Sequence, residues 1–333
     1  MSPHRHLLGL LGGFMPVQLV YVMARLRVAD LLHGNPMTVE ELSAAAGAQP
    51  EVMRRLARGL ASLGLVELDH RVSLTPMGSL LRSGTPGSLH DVALHRGRVL
   101  FRAWGELEHA VRTGKVAFEV AHGDPFFDYL RKHPEAGATF DRAMSRLSHG
   151  VIEEAIAHYD FAGASRVLDV GGGRGHFVAA VLEEHPQLEG AVFDVPEVAH
   201  AAGEQLRERG FGDRATALSG SFFEALPAGY DVHILKWILH NWNDDACRQL
   251  LSTCRAALPE NGRLLVIEQL LPDAVPNGDG LHPAIAMDLT MLVNFADARE
   301  RHLGEYEELL ETSGFAVQDV VSLPGGFSII ECA

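Results

Sequence analysis

The chain has 333 residues, a length at which two ordinary domains are more common than one large domain. Hydrophobic residues make up 47% of the sequence and charged residues 21%, which is typical of a globular protein rather than a disordered one. The net charge of −15 argues against a surface that neutralises nucleic-acid phosphates or lies on anionic lipid.

The apolar segment from Leu7 to Met23 superficially resembles a signal peptide. It is interrupted by Gly12, Gly13 and Pro16, and it continues directly into charged, amphipathic sequence with no small-residue cleavage site. The segment is also short and interrupted for a membrane span. The sequence therefore predicts a cytoplasmic protein without a membrane partner.

The cysteines form neither a CxxC pair nor a Cys/His spacing of the kind that binds zinc. There are three of them, Cys247, Cys254 and Cys332. We expect free, buried thiols in a reducing compartment.

Residues 1–98 are predicted to form a mainly α, winged-helix-type domain. Apolar residues recur at helical spacing in the first helical region: Leu19, Val22, Met23, Leu26, Ala29, Leu31 and Leu32. Thr38 precedes Glu41 by three residues, which is the pattern of a capping box at the start of a short helix. A further helix after Pro50 is predicted to carry one apolar face, made of Val52, Met53, Leu56, Leu60 and Leu63. Two short strands follow, at 65–68 and 72–74, separated by a turn.

Many winged helices bind DNA, so DNA binding is an alternative to a structural role for this domain. Arg54, Arg55 and Arg58 lie on the helix where a recognition helix would sit. The same module carries several acidic residues: Glu40, Glu41, Glu51, Glu67 and Asp69. The charge pattern therefore favours a structural or dimerising role, with no nucleic-acid partner.

Residues 99–158 are predicted to form a helical linker with clustered aromatic residues. Phe140 and Met144 are four positions apart and share one helix face. Spacing alone favours a core role for this pair over a role as the wall of an apolar pocket.

From residue 159 to 333, strand-like runs alternate with helical ones, which predicts a parallel α/β sheet covered by helices on both faces. The strand-like runs are 166–170, 191–193, 215–218, 231–235 and 263–268, with helices that include 177–184 and 245–258. The chain ends on an antiparallel hairpin, 317–323 and 327–332. That hairpin is typical of the class I methyltransferase variant of the Rossmann-like sheet.

A glycine-rich loop follows the first of these strands, with Gly171, Gly173 and Gly175 at alternate positions. Asp194 ends the next strand, about 20 residues further on, where an acidic side chain meets ribose hydroxyls in such folds. Asp169 precedes the glycines, and a carboxylate there suits a cationic amine or sulfonium and would repel a pyrophosphate. The loop therefore favours S-adenosyl-L-methionine over a dinucleotide.

His240 follows the strand 231–235, beyond the carboxyl end where open α/β sheets bind their ligands. A lone histidine is usually structural, and this chain has 18 of them. Local sequence alone leaves a catalytic and a structural role about equally supported.

The whole chain resembles the family of plant caffeic acid, acetylserotonin and bacterial polyketide O-methyltransferases. The matching stretches are LDVGGGRGHF, AVFDVPEV, GSFFE, LKWILHNWNDDACRQLL, VIEQLLP and RERHLGEYEELLETSGF, with PFFDYLRKHPE and FDRAM upstream. The resemblance implies that His240 is the general base and that Glu268 and Glu300 orient it. It implies cofactor contacts at Gly171, Asp194, Phe222 and Lys236, and at Ser221 in the GSFFE stretch. The glycine loop adds Asp169 and Gly173.

The same resemblance places Phe140 and Met144 in the substrate wall, against the preference from spacing, with weaker candidates at Met287, Met291 and Asn294. It implies a homodimer formed through the N-terminal domain, a small aromatic substrate, S-adenosyl-L-homocysteine as product and no metal.

Two positions depart from the family pattern. Asn241 stands where many relatives have Asp, and Ser221 stands where they have Asp before the two phenylalanines. Ser221 is expected to weaken the contact with the cofactor. Some relatives use S-adenosylmethionine without methylation, for hydroxylation, decarboxylation or pericyclic chemistry, and N- or C-methylation is also open. Retention of His240, Glu268 and Glu300 favours methyl transfer to a phenolic or enolic hydroxyl.

Overall fold

The computed structural model describes residues 2–275 and 280–333 and divides into two compact units. The first unit comprises the chain up to Arg112 together with Ala117–Leu147, and the second comprises Thr113–Val116 and Ser148–Ala333. The three segments drawn from the sequence, with boundaries at 98 and 158, stay a prediction about organisation along the chain.

The first unit begins with a helical region that continues into a two-stranded antiparallel wing. Its elements are α1 (Pro3–Leu11), α2 (Phe14–Arg25), α3 (Val28–Leu32), α4 (Val39–Ala45), α5 (Pro50–Ser62), β1 (Val66–Leu68) and β2 (Val72–Leu74). The predicted capping box is present: the Glu41 N–H donates to Thr38 Oγ1, and the Thr38 N–H donates to Glu41 Oε2. The winged-helix order predicted from the sequence is therefore confirmed.

The apolar face predicted for α5 is wrong at one position. Met53, Ala57 and Leu60 are buried, whereas Val52 is 61% exposed. Successive residues are rotated by about 100° around a helix, so the buried face follows the i, i+4, i+7 positions that begin at Met53. Val52 stands one step off that face.

The helices α1 and α2 expose most of their large apolar side chains. Among the described residues, Pro3–Arg25 is the one stretch long and apolar enough to cross a membrane by length and composition, and 11% of its most apolar window is buried. The stretch is two helices rather than one, because α1 ends before Gly12. The exposed side chains are Leu7, Leu8, Leu10, Leu11, Phe14, Met15 and Val17.

The rest of the first unit is helical. It contains α6 (Pro76–Ser79), α7 (His90–Leu94), a π-helix (His95–Leu100), α8 (Phe101–Trp104), α9 (Leu107–Thr113), α10 (Ala117–His122), α11 (Phe126–Lys132) and α12 (Pro134–His158), of which α9 and α12 continue into the second unit. The half-buried ring of Phe140 lies 5.2 Å from that of Phe126 and 5.3 Å from that of His95, between ring centroids. Phe140 is therefore part of an aromatic cluster in this unit.

The second unit is built on a seven-stranded sheet. Its strands are β3 (Arg166–Val170), β4 (Glu189–Asp194), β5 (Ala215–Ser219), β6 (Val232–Lys236), β7 (Arg263–Gln269), β8 (Val317–Ser322) and β9 (Phe327–Cys332), in the order β5-β4-β3-β6-β7-β9-β8. The first five are parallel, and β9 pairs antiparallel with both β7 and β8. The predicted parallel sheet and its antiparallel terminal hairpin are confirmed.

Alternate residues of each strand enter two separate cores, one on each face of the sheet. Val167, Ile234 and Leu265 belong to one core, and Leu168 and Leu235 to the other. The helices of this unit are α13 (His176–Glu184), α14 (Pro196–Glu208), α15 (Asp244–Ala257), α16 (Pro283–Asn294) and α17 (Leu303–Thr312), with 3₁₀ turns at Leu239–Asn241 and Pro324–Gly326.

The strand order reverses between β3 and β6. From β3 the chain moves outward to β4 and β5, and it then returns to the other side of β3 for β6 and β7. Open α/β sheets bind ligands at this switch point, outside the carboxyl ends of the strands. The loops that follow β3 and β6 are therefore where this fold places a site.

The three cysteines are buried free thiols, as predicted. Burial raises the pKa of Cys247 to about 11. This thiol is protonated at neutral pH and is not a nucleophile.

Candidate active site

The glycine loop after β3 bends the main chain through left-handed conformations. Gly171, Gly173 and Gly175 have φ of 71°, 56° and 77°, values that favour glycine over every other residue. The Gly173 N–H donates to Asp194 Oδ2 at 2.9 Å, and the Val195 N–H donates to Asp194 Oδ1 at 2.8 Å. Asp194 therefore fixes the loop as well as the end of its own strand.

Close packing surrounds the first two glycines. A Cβ on Gly171 would lie 2.5 Å from Ile238 Cδ1 and 3.7 Å from Phe222 Cε1, and a Cβ on Gly172 would lie 2.4 Å from Asp169 Oδ2. The loop therefore touches both the segment after β6 and the segment after β5. Gly173, by contrast, has no atom of the described residues within 4 Å of its ideal Cβ position, which leaves open space for a ligand.

Asp169, the penultimate residue of β3, and Lys236, the last residue of the neighbouring strand β6, are a pair of opposite charges. Asp169 is buried, and its Oδ2 has no hydrogen-bond partner among the residues that the structure describes. Burial raises the pKa of Asp169 to about 7, while the nearby Lys236 ammonium acts in the opposite direction. Burial lowers the pKa of Lys236, whose Nζ donates to Ser148 Oγ at 3.1 Å. An orphaned carboxylate beside an ammonium fits a zwitterionic amino-acid group.

Ser221 and Phe222 follow β5 and complete this edge of the sheet. Ser221 Oγ accepts the Phe223 N–H at 3.3 Å, in a local turn. The Phe222 ring packs against Phe223 and Trp242, with centroids 4.7 Å and 6.1 Å away. The structure thus brings the predicted cofactor residues at the ends of β3, β4, β5 and β6 to one edge of the sheet.

The chain turns sharply after β6, at Trp237. Trp237 has φ of 59°, a left-handed conformation that costs a bulky residue about 1–3 kcal/mol. One carboxylate oxygen offsets this cost, because Glu268 Oε1 accepts the N–H groups of Ile238 at 3.0 Å and Leu239 at 2.9 Å, with that of His240 at 3.4 Å. Glu268 is fully buried at the end of β7.

His240 lies in the 3₁₀ turn with its imidazole between two buried carboxylates. Nδ1 is 2.7 Å from Glu300 Oε1 and 3.8 Å from Glu268 Oε2, and the His240 side chain is 7% exposed. Burial lowers the pKa of His240, but the negative charges of Glu268 and Glu300 outweigh this effect and raise it overall. Burial raises the pKa of Glu268 to about 7. The buried negative charge around the ring therefore favours the protonated form of His240.

The tautomer of His240 follows from its partner. With Glu300 ionised, Nδ1 carries the proton and donates to Oε1, which leaves Nε2 with a free lone pair. The donor atoms of His240, Glu268 and Glu300 also lie within 4.8 Å of one another, close enough to surround a metal ion. Hydrogen bonds already occupy Nδ1 and Glu268 Oε1, whereas Glu268 Oε2 and Glu300 Oε2 have no hydrogen-bond partner among the described residues. The expectation of no metal stays a prediction.

The substrate candidates are divided between the two units. Met291 and Asn294 are buried on α16, Met287 is half-buried there, and Asn294 Oδ1 has no hydrogen-bond partner among the described residues. Asp288, on the same helix, accepts the Glu300 N–H at 3.1 Å, so α16 adjoins the segment that carries Glu300. Phe140 and Met144 belong to the first unit.

Sequence reasoning missed several residues that hold this site. Asn241 was noted only as a departure, yet its Nδ2 donates to Trp237 O at 3.0 Å and closes the turn. Arg301 was missed entirely, although it is the largest fully buried side chain of the described residues. The only available signal was its position beside Glu300 in RERH.

Comparison with known proteins gives two family matches. Residues 104–316 match the O-methyltransferase domain, and residues 8–84 match the O-methyltransferase dimerisation domain. A phenazine O-methyltransferase from Lysobacter antibioticus is 39% identical over 98% of this chain and 94% of its own. An 8-amino-8-demethylriboflavin N,N-dimethyltransferase from Streptomyces davaonensis is 32% identical over 94% of this chain and 90% of its own.

Solved structures agree with these matches. The O-methyltransferase NcsB1 from neocarzinostatin biosynthesis, in complex with S-adenosylmethionine and 2-hydroxy-5-methyl naphthoic acid, superposes with a TM-score of 0.79. It is 34% identical, over 96% of this chain and 95% of that one. The dimerisation-domain match supports a homodimer, and the family acts on small molecules. The chain belongs to the S-adenosylmethionine-dependent O-methyltransferases, and it is an enzyme of that family.

Proposed function

We propose that this enzyme methylates a phenolic or enolic hydroxyl of a small aromatic, polyketide-like metabolite, with His240 as general base. One observation carries the proposal: His240 Nδ1 lies 2.7 Å from the buried Glu300 Oε1. This hydrogen bond orients the ring and stabilises the imidazolium that forms when Nε2 takes a proton. Glu268 has the complementary role of fixing the turn and adding negative charge beside the ring.

The chemistry needs a base because a phenol, with a pKa near 10, is mostly protonated at neutral pH. S-adenosylmethionine supplies the methyl group from its sulfonium and leaves as S-adenosylhomocysteine. His240 Nε2 accepts the hydroxyl proton as the oxygen gains the methyl group, which typically contributes about 10²–10⁴-fold. Alignment of the acceptor oxygen by the surrounding residues supplies much of the rest.

The cofactor would be held along the edge of the sheet described above. Asp169 would bind the ammonium group of its amino-acid end, and Lys236 the carboxylate. Gly171 and Gly173 allow close approach, while Asp194 can accept ribose hydroxyls. Ser221 and Phe222 would contact the adenosine end, and the short serine hydroxyl is expected to bind it more weakly than an aspartate.

The acceptor would lie among apolar side chains. Helix α16 adjoins the Glu300 segment through Asp288, and its Met287, Met291 and Asn294 would supply flexible thioethers and one amide. Phe140 and Met144 are proposed to supply further wall from the aromatic cluster of the first unit. A homodimer formed through the N-terminal domain would cover the exposed apolar side chains of α1 and α2, and we place the enzyme in the cytoplasm.

Two alternatives use the same fold. Relatives include an N,N-dimethyltransferase, so a nitrogen acceptor is a second candidate. The other alternative is chemistry that binds the cofactor without consuming its methyl group. Release of S-adenosylhomocysteine separates this last possibility from the first two, and the mass and fragmentation of the product separate oxygen from nitrogen methylation.

The first experiment supplies S-adenosylmethionine and a panel of phenols and aromatic amines, including 2-hydroxy-5-methyl naphthoic acid. We expect S-adenosylhomocysteine release that depends on one class of phenol, alongside cofactor binding by calorimetry. Binding without release across the panel would favour non-methylating chemistry, and absence of binding would contradict the proposal altogether.

The second experiment replaces His240. We expect His240→Ala to lower kcat by about 10²-fold or more while the Kd for S-adenosylmethionine stays nearly unchanged. His200→Ala is the matched control, because His200 is an exposed histidine on α14. A His240→Ala enzyme with the wild-type rate would remove His240 from the mechanism and leave positioning as the main effect.

A further inference from the structure

A fully buried arginine lies behind the turn that carries His240. The Arg301 side chain is 0% exposed. Its Nη1 donates to Leu239 O at 3.2 Å, and its Nη2 donates to Trp242 O at 2.8 Å. These two carbonyls flank His240 and close the 3₁₀ turn, so one guanidinium spans the turn from end to end.

Arg301 is one of three consecutive residues that hold His240 from different sides. The Arg299 N–H donates to His240 O at 3.0 Å, and Glu300 binds the imidazole. The three contacts reach the main chain of His240, its side chain and the carbonyls on either side of it. The segment 299–301 is thus hydrogen-bonded to the turn at every residue. Because Arg301 follows Glu300 directly in the chain, a displacement of Arg301 would also displace Glu300.

A single carboxylate balances the buried charge. Asp244 Oδ1 accepts from Arg301 Nε at 3.1 Å and from Arg301 Nη2 at 2.7 Å, while Asp244 Oδ2 accepts from Arg299 Nη2 at 3.2 Å. Asp244 is the first residue of α15, whose N-terminus is capped by Asn243. Arg301 therefore connects the His240 turn to the first residue of helix α15 through hydrogen bonds.

We propose that Arg301, with Asp244 as its counter-ion, is a positioning residue that holds His240 in the geometry needed for proton transfer. A buried ion pair that is replaced as a unit by apolar side chains of similar volume is often neutral for stability, so the Arg301–Asp244 pair is not explained by folding alone. The planar guanidinium of Arg301 suits this turn, because its N–H donors point in the fixed directions of two carbonyls and one carboxylate. The inference rests on the proposed role of His240.

The test compares Arg301→Lys with Asp244→Asn and with the control Arg255→Lys. Lysine keeps the positive charge but lacks the planar fork of donors that Arg301 directs at two carbonyls and one carboxylate. We expect Arg301→Lys to lower kcat by about 10- to 100-fold with little change in the Kd for S-adenosylmethionine, because a small misplacement of a catalytic group is costly. Asp244→Asn should lower kcat less, because Arg301 keeps its hydrogen bonds to Leu239 O and Trp242 O. If Arg301→Lys does not fold, Asp244→Asn takes its place in the test.

Arg255 is a matched control, because its guanidinium also lies over an aromatic ring of the second unit. It stands 5.1 Å from the Phe315 centroid, as Arg301 stands 5.8 Å from that of Tyr306, and its described hydrogen bond goes to Pro259 O. Arg255→Lys should leave kcat unchanged. A loss equal to that of Arg301→Lys would mean that the effect is general destabilisation and would overturn the inference.

A double-mutant cycle with His240→Ala gives the readout that a merely structural role would not move. If Arg301 acts through His240, Arg301→Lys should lower kcat in the wild-type background and not in the His240→Ala background. Equal losses in both backgrounds, or no loss in the first, would overturn the inference. Failure of the proposed function is distinguishable, because His240→Ala alone would then retain the wild-type rate.

The effect of Arg301 on His240 can also be measured without a methyl acceptor. In a histidine-labelled sample, the NMR titration of His240, assigned by its loss in His240→Ala, should move to lower pH in Arg301→Lys, because the contact with Glu300 is loosened. An unchanged titration would overturn the inference.

Discussion

The loop after β3 and the turn after β6 stand on adjacent strands, and both pass through left-handed conformations, but they reach them by opposite means. Gly171 adopts φ of 71° without a side chain to strain. Trp237 adopts φ of 59° although it has one of the largest side chains. This conformation depends on the Glu268 carboxylate, which accepts the backbone N–H groups of the turn. The first conformation is local, and the second is imposed by the tertiary structure.

The difference matches the tasks proposed for the two segments. A cofactor-binding loop must let a ligand approach, so it is built by the absence of side chains. A general base must be held in one orientation, so the turn that carries His240 is hydrogen-bonded to buried carboxylates from distant segments. Glu268 lies 30 positions beyond Ile238, and Glu300 lies 60 positions beyond His240.

The largest expected effect comes from removing the acceptor that stabilises the Trp237 turn. We expect Glu268→Ala to lower the free energy of unfolding by about 2–5 kcal/mol, because it leaves buried N–H groups without a partner beside a strained residue. We also expect it to lower kcat by about 10²-fold. Urea denaturation and S-adenosylhomocysteine release measure the two quantities.

Glu268→Gln is the matched variant, because an amide oxygen can still accept the N–H groups while the negative charge beside His240 is lost. It should keep most of the stability and lose activity. Equal stability of Glu268→Ala and the wild type would contradict the contrast between the two segments, because the Trp237 turn would then keep its conformation without the Glu268 carboxylate.

A smaller effect should separate two glycines of the β3 loop. Alanine at Gly172 would place its Cβ 2.4 Å from Asp169 Oδ2, and we expect a loss of about 2–3 kcal/mol in unfolding free energy from overpacking. Alanine at Gly173 meets no atom within 4 Å in the part of the chain that the structure describes, so it bears only the strain of φ at 56°, about 1 kcal/mol. Denaturation of the two variants side by side checks the order, and a reversed order would contradict the steric account.

The smallest effect is a shift of the pH–rate profile. The pKa of His240 is raised by Glu268 and Glu300 and opposed by burial and by Lys236. A base works only when unprotonated, so kcat/KM should fall as the pH drops through a value above the ordinary 6.5 of histidine. In Glu300→Gln this acid limb should move to lower pH, because the negative charge hydrogen-bonded to Nδ1 is lost. A limb that stays in place would show that another group titrates.

Much of the architecture was predictable because its causes are local. Strand β3 was predicted with its exact bounds, Arg166–Val170, since a short apolar run before glycines has few alternatives. The Thr38 capping box was predicted for the same reason, because both of its hydrogen bonds join residues three apart. The error at Val52 shows the limit, since apolar character alone does not say which helix face meets the core.

The site was predictable in part. The glycines and Asp194 follow from strand–loop–helix order, whereas the roles of Glu268, Glu300, Phe140 and Met144 came only from family resemblance and remain proposals. No spacing rule connects residues that meet through the sheet.

By itself, the sequence determined the order of strands and helices, the glycine loop and the terminal hairpin, because backbone preferences and apolar periodicity act over a few residues. Only the tertiary structure decided that Trp237 takes a left-handed conformation, that Glu268 stabilises it, and that Arg301 is buried behind His240. The physical reason is that strain and buried charge are tolerated only where distant partners offset them, and those partners are defined only when the fold is complete.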